Sequence, residues 1–244
     1  MSGLSTTRKN LDANGFAVEH DAVGQAILDA LSEQVDQAQS GRNAKKQNLR
    51  NAFEVLPAAR QLVTHPTLAR LVTDTLGPDA FAVRAIVFDK TPGANWRVAW
   101  HQDTAIPLRE PGDAPGFGPP STKDGVAHTR APAELLARML TVRLHLDDCF
   151  ADNGPLRVVT GSHRLGRLDD DAIADHVRTH PSVAVTVPAG GLLVMRPLLL
   201  HASSPATSPS HRRVLHLEFA TGALPAPLAW HIQYPVNPHT ATRV

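Results

Sequence analysis

The stretch Trp100-His101-Gln102-Asp103 holds an imidazole and a carboxylate two residues apart. On an extended backbone, side chains two apart leave the same face, so both groups can reach one metal ion. A second imidazole from a neighbouring strand would complete a set of two histidines and one carboxylate. Such a set covers one face of an octahedron and leaves the other positions open, as non-haem iron requires when it holds an oxidant and a reductant side by side. The His-x-acid spacing is weak evidence alone. It occurs at His101/Asp103, His145/Asp147 and His216/Glu218, where about one occurrence is expected by chance. With 13 histidines and one cysteine, Cys149, the composition directs any metal chemistry to N and O ligands.

Surroundings separate the three pairs. Residues 106–133, directly after Asp103, carry Gly or Pro at ten of 28 positions and match no regular element. A stretch of that length beside a reactive centre reads as a mobile lid and not a packed element. His201 closes the apolar run 198–200, and Arg212 and Arg213 open the next strand. The planar fork of an arginine suits the distal carboxylate of 2-oxoglutarate, and Ser203 could add a hydroxyl to it. His216/Glu218 is followed only by His231 and His239, with no arginine-bearing strand beyond. His145/Asp147 could share His201 but lies within a strand without a lid. The first pair is preferred.

These residues need strands to carry them. Apolar, β-branched runs at 80–88, 96–100, 140–146, 156–160, 183–187, 192–195 and 214–219 are separated by turn signals such as Asn153-Gly154-Pro155 and Gly161-Ser162. One helical insert falls at about 170–178. Before residue 78 the periodicity is helical. Residues 22–39, with Asp21 as cap and Gly41 as stop, place Val23, Ile27, Leu31 and Val35 on one face. Pro57 and Pro66 open two more helices, and Gly77 ends the second. The expected fold is mainly β with flanking α-helices, in one domain: a helical layer over about 1–78, a sandwich or barrel over about 79–222, and a tail at 223–244. Along the last strand, Arg212 shares a face with Val214, His216 and Glu218, and Arg213 with Leu215, Leu217 and Phe219. Alternation leaves open which set faces inward, because a barrel around a site can be polar inside and apolar outside.

Three segments, FDKTPGANWRVAWHQD (88–103), DNGPLRVVTGSHRLG (152–166) and MRPLLLHASS…HRRVLHLEFA (195–220), resemble the phytanoyl-CoA dioxygenase family, a likeness that runs over most of the chain. The resemblance implies a double-stranded β-helix core of the jelly-roll, cupin-like kind. It implies Fe(II), 2-oxoglutarate and O₂, with metal ligands at His101, Asp103 and His201. It places the co-substrate salt bridge at Arg212, eleven positions after the distal histidine. The activity implied is hydroxylation of a C–H bond, coupled to decarboxylation of 2-oxoglutarate to succinate and CO₂. Related halogenases carry a small residue where this chain has Asp103, so the carboxylate favours hydroxylation.

Near the motif, Lys90 reads as a turn-exposed lysine, with a carboxylate contact as the alternative, and Trp96 adjoins it. Arg50-Asn51 is similar to an element near the pocket of bacterial members, or is a solvated helix arginine. Arg109, Lys123, Arg130 and Arg143 could meet an anionic substrate, or could be solvated. Asn153-Gly154 and Gly161-Ser162-His163 read as turn chemistry and Cys149 as a small core residue. Lys+Arg 24 against Asp+Glu 23 leaves no basic excess for nucleic acid. The apolar runs are too short for a membrane span, and the first residues lack a signal-peptide core. A small-molecule substrate and a reducing cytoplasm are expected; composition does not specify oligomeric state. Two other readings remain: a cupin-type metalloenzyme that does not use 2-oxoglutarate, disfavoured by Arg212, and a catalytically silent binding module, disfavoured by the intact triad.

Overall fold

The structure, a computed structural model, describes residues 2–41, 48–208 and 211–237. Its helical layer follows the apolar periodicity of the first third. Helix α1 (Ser2–Asn14) leads into strand β1 (Phe16–Glu19), and α2 (Gln25–Gln39) buries Leu28, Leu31 and Val35. Helices α3 (Ala52–Val55), α4 (Pro57–Val63) and α5 (Pro66–Leu76) follow. Proline opens α4 and α5, where its missing N–H goes unneeded, and Gly77 ends α5. No run of apolar residues marks α1, and β1 is only four residues long, so neither is legible in the sequence. Asp21 does not cap α2. The N–H groups of Ala22 and Val23 both donate to the Gly190 carbonyl (3.0 and 3.1 Å), which holds the chain on the sheet and delays the helix to Gln25.

The strands are β2 (Phe81–Lys90), β3 (Val98–His101), β4 (Ala105–Leu108), β5 (Ser121–Lys123) and β6 (Val126–Arg130); then, after α6 (Ala133–Leu136), β7 (Leu140–His145) and β8 (Leu156–Val158). Helix α7 (Asp170–Thr179) is capped by Asp169, whose carboxylate accepts from the Ala172 N–H at 2.8 Å. Strands β9 (Val183–Val185), β10 (Leu192–Met195), β11 (His201–Ser203), β12 (Arg212–Ala220) and β13 (Tyr234–Pro235) complete the order.

Two antiparallel sheets carry the site, ordered β1-β10-β7-β12-β2-β13 and β3-β11-β8-β9. Leu215, Leu217 and Phe219 of β12, with Val142 and Leu144 of β7, pack outward against α2, α4 and α5. Each such side chain withdrawn from water contributes about 1.5–3 kcal/mol. Between the sheets, Leu156, Val158 and Val185 meet Leu193 and Met195 at one end. The remaining space between them is lined by polar and apolar side chains together. This is the double-stranded β-helix that the family resemblance implies.

Segment 106–133 departs from expectation. It is not a loop throughout: β4, β6 and β5 form a third sheet, and Ile106, Leu108, Ala127 and Ala131 are buried. Pro107 fits because β4 is an edge strand whose outer side meets residues 229–231, where the Pro107 carbonyl accepts from His231 N–H at 3.3 Å, so no donor is required there. Asp124 and Gly125, with φ of 46° and 82°, make the two-residue turn between β5 and β6. That Asp-Gly pair is the sequence signal of the hairpin, outweighed by the density of Gly and Pro around it. Only 109–125 is largely exposed. The tail beyond β12 also packs, with Leu224, Leu228 and Trp230 buried against Ile106, Leu108 and Leu136.

Trp230 is 1% exposed, donates its indole N–H to the Gly222 carbonyl (3.0 Å) and bridges Leu108. Trp230→Ala is expected to cost about 3–5 kcal/mol in denaturant unfolding and to make 105–131 sensitive to protease. A loss below about 1 kcal/mol would mean the tail does not hold the third sheet.

Candidate active site

Strands β3 and β11 pair antiparallel with His101 directly opposite His201, so register brings two imidazoles from residues a hundred apart to a ring separation of 4.2 Å. A bulge between His201 and Ser203 follows. Each ring is oriented the same way. Nδ1 of His101 donates to the Ala99 carbonyl (2.9 Å) and Nδ1 of His201 to that of Leu199 (2.8 Å). Both Nε2 lone pairs are left facing Asp103, at 3.7 and 3.6 Å from its oxygens. Asp103 is fixed by its own N–H, which donates to the Pro197 carbonyl at 2.9 Å. Its Oδ2 is buried with no hydrogen-bond partner. Gln102, between the two, turns away. It donates to Gly166 and Leu198 carbonyls and accepts from Leu168 N–H, each at 2.8 Å, so the loop at 166–168 is tied to the end of the strand that bears His101.

Burial alone would raise the Asp103 carboxyl, but His201, His216, His101 and Arg84 around it hold it well below the usual carboxylate range. Burial pushes His201 down to about 4, against the opposing pull of Asp103. A carboxylate and two neutral imidazoles are the protonation states in which these residues coordinate a metal. Ligand atoms of the three all lie within 4.8 Å of one another. Two free nitrogen lone pairs and an orphaned carboxylate oxygen fit a divalent cation of borderline softness, bound on one face only. His101 is 39% exposed and His201 3%, so that face opens on the His101 side, where a groove lined by Thr104, Arg130 and Arg167 begins.

A cavity of about 120 Å³ between the sheets touches all three residues and continues to Phe88, Trp96, Arg143, Ser203, Arg212 and His216. Its floor is cationic. Arg212 is 4% exposed and donates to the Gly154 carbonyl, while its Nε is buried without a partner. Gly154 must be glycine, since its φ is 72° and a Cβ would stand 2.7 Å from the Ser204 carbonyl oxygen. Lys90 lies opposite Arg212 on β2 and, contrary to the turn-exposed reading, is 1% exposed. Its ammonium donates to Ser203 Oγ at 2.7 Å and to the Ser204 carbonyl at 2.5 Å. Ser203 therefore lines the cavity, but its oxygen accepts from Lys90 and its proton goes to the Gly154 carbonyl (3.1 Å). Burial, then Arg212, pushes Lys90 down to about 8. Arg143, 6% exposed, donates to His216 Nδ1 (2.9 Å) and lies over the Phe88 ring; burial, then Arg212, pushes it down to about 10. Among the described residues, none of these three cations has a carboxylate partner.

The alternative pairs do not converge on a metal. His145 faces the interior with neither ring nitrogen bonded and is held neutral by burial, Arg143 and Arg212, whereas Asp147 faces out and chelates Arg213 (2.7 and 3.0 Å). Arg213 also reaches Asp36 at 2.9 Å, so it braces β12 against α2, away from the cavity. His216 accepts from Arg143 and therefore donates through Nε2 to Glu218 (3.0 Å), which also pairs with Arg84. Arg50 bridges Asp124 at 3.5 Å. Cys149 is fully buried, as expected of a core residue. Arg143 is the cavity residue that sequence reasoning undervalued; the alternation Thr141, Arg143, His145 in an otherwise apolar strand is its signal.

The phytanoyl-CoA dioxygenase (PhyH) family matches residues 11–214. The chain belongs to that family. The match starts within α1, so the family's extent includes the helical layer as well as the sheets. The L-proline trans-4-hydroxylase of Streptomyces griseoviridis is 27% identical over 187 residues, which span 65% of this chain and 61% of that protein. Among solved structures, AviO1 from Streptomyces viridochromogenes is 22% identical with a TM-score of 0.67, over 92% of this chain and 98% of its own. The alpha-ketoglutarate-dependent carbocyclase SnoK from nogalamycin biosynthesis is 19% identical with a TM-score of 0.69, over 91% and 85%. HygX from Streptomyces hygroscopicus, with nickel and 2-oxoglutarate bound, is 16% identical with a TM-score of 0.65, over 88% and 86%. These likenesses establish the shared fold.

Lys90 gives the site a pH signature. With a folded value of about 8 against 10.5 in the free side chain, the unfolded state binds more protons between those values, so stability rises with pH across that window. Urea unfolding without 2-oxoglutarate at about pH 7.5 and about pH 10 should show a larger rise in the parent than in Lys90→Met. Parallel curves would mean Lys90 is solvated.

Proposed function

We propose that the chain is an Fe(II)- and 2-oxoglutarate-dependent dioxygenase that hydroxylates a C–H bond of a small organic molecule, in a reducing cytoplasm. The observation that carries this reading is the convergence of His101, Asp103 and His201 beside a cavity lined by the buried Arg143 and Arg212, which have no carboxylate partner among the described residues. Family membership and the likeness to an L-proline hydroxylase support it. When bound, iron and 2-oxoglutarate supply the oxidising chemistry, with succinate and CO₂ as co-products. His101 and His201 each give an Nε2 lone pair and Asp103 an oxygen. Arg212 holds the distal carboxylate of the co-substrate through its planar fork, with Lys90 and Arg143 adding charge that the cavity otherwise leaves uncompensated. Phe88, Trp96, Val98 and Leu156 keep water from the reacting centre.

The protein should bind about one Fe(II) per chain and form succinate from 2-oxoglutarate and O₂. His101→Ala, Asp103→Ala and His201→Ala should each lose the metal, and His145→Ala should keep it; the opposite result would move the centre to His145. Variants must still unfold cooperatively.

Arg212→Gln should raise KM for 2-oxoglutarate about a hundredfold, about 3 kcal/mol of lost charged pairing. Arg213→Gln should leave KM near normal and lower stability, because Arg213 holds Asp147 and Asp36. A KM effect from Arg213 alone would overturn the co-substrate assignment.

A further inference from the structure

His101 borders two spaces. One is the cavity of about 120 Å³ between the sheets, with Arg143 and Arg212 in its wall. The other is an open groove of about 450 Å³, bounded by Gln102, Thr104, Arg130, Arg167, Leu168 and the start of α7. The cavity is about a quarter of the groove's size and already carries the cations suited to a dicarboxylate. The groove lies in the size range of small-molecule sites. An occupant of each space would meet the other at the same imidazole.

The cations of the groove are tied by hydrogen bonds to the segment that carries His101 and Asp103. Gln102, 6% exposed, brackets Arg167: it donates to the Gly166 carbonyl and accepts from the Leu168 N–H, both at 2.8 Å. Arg167 itself donates from Nη1 to the Ala131 carbonyl at 3.1 Å. The Ala131 N–H in turn donates to the carbonyl of Thr104, the residue after Asp103, at 2.8 Å. Arg167 is thus held from two sides by the neighbours of Asp103. Arg130 stands opposite Ala105 in the β4–β6 pairing. Its stem lies on Gly118, where a Cβ would be 2.7 Å from the Cβ of Arg130. Both guanidiniums are exposed, as the wall of an open groove must be, and among the described residues neither has a carboxylate partner.

The groove also carries acids. Asp169 is committed to the cap of α7, where it accepts from the Ala172 N–H at 2.8 Å. Asp170, in the first turn of that helix, lines the groove with no cationic partner among the described residues. Two guanidiniums against two carboxylates leave no excess positive charge for a phosphate-bearing molecule, which both acids would repel. Leu168 and Ile173 add a short apolar surface. A planar fork for a carboxylate, an unpaired carboxylate for an ammonium and a small apolar wall match a zwitterion.

We propose that this groove is the substrate site of the dioxygenase described above, a step that rests on that reading, and that the substrate is a free α-amino acid. Arg167, with Arg130 beside it, takes the carboxylate, and Asp170 takes the ammonium. The side chain of the amino acid is left to face His101. Arg212 and Arg167 thus hold two different carboxylates, one on each side of that imidazole.

The test uses the Fe(II)-loaded protein under anaerobic conditions with saturating 2-oxoglutarate. Each of the standard L-amino acids is added at one common concentration, and the rise in Tm is read. At least one should raise Tm where its primary amide, lacking the carboxylate, and its deamino acid, lacking the ammonium, do not. Arg167→Gln and Asp170→Asn, both at exposed positions, should each weaken that amino acid about tenfold or more. Both should leave the Tm rise caused by 2-oxoglutarate unchanged. The proposal is overturned if no amino acid raises Tm, if the amide or the deamino acid matches its parent, or if either variant binds the amino acid like the unaltered protein. If 2-oxoglutarate gives no Tm rise while the amino acid still depends on Arg167, the groove assignment stands and the co-substrate reading fails.

Discussion

Three cations inside one barrel, Lys90, Arg143 and Arg212, have no carboxylate among the described residues, and the rest of the structure is arranged around that constraint. Withdrawing each from water costs several kcal/mol unless something compensates. Neutral acceptors do part of this: the Gly154 carbonyl for Arg212, Ser203 and Ser204 for Lys90, and His216 for Arg143. The Nε atoms of Arg143 and Arg212 are buried with no hydrogen-bond partner among the described residues. On the function proposed above, a dianion entering here would exchange its own hydration for charged partners already in place, which is preorganisation in the electrostatic sense.

The constraint propagates outward through strand alternation. If Arg212, His216 and Glu218 face in, then Leu215, Leu217 and Phe219 must face out, and an apolar outer face requires a cover. Helices α2, α4 and α5 are that cover, and Arg213 binds the same strand to α2 through Asp147 and Asp36. The helical layer is therefore part of the site's support, since a one-residue slip of β12 would put leucines where His216 and Glu218 now face in.

The proposed metal face depends on a different interaction, the antiparallel pairing of β3 and β11. Opposed histidines with the same Nδ1-to-carbonyl bond two residues back present two nitrogens with one geometry. Gln102 then holds the loop at 166–168 against that strand, so a residue that turns away from Asp103 orders the rim of the proposed centre.

Local chemistry was legible in the sequence wherever a short pattern carries its own physics. Proline at first helical turns, the apolar strands, the His101/Asp103 spacing and the alternation of Arg212 and Arg213 all depend on near neighbours, and each can be read along the chain. The third sheet was hidden because Gly and Pro density outweighed one Asp-Gly turn, and Trp230 was hidden because its burial depends on a partner more than a hundred residues away. Lys90 is the clearest case. Its neighbours Thr91, Pro92 and Gly93 announce a turn, and a lysine at a turn is ordinarily solvated. Only the pairing of β2 with β12 carries it inside, opposite Arg212 and against Ser203. Sequence by itself determined which residue types could do this chemistry and on which kind of element they lie. Which of three similar pairs shares a face, and which cations lose their water, was decided by long-range strand register, because both depend on distances between residues that the chain order does not encode.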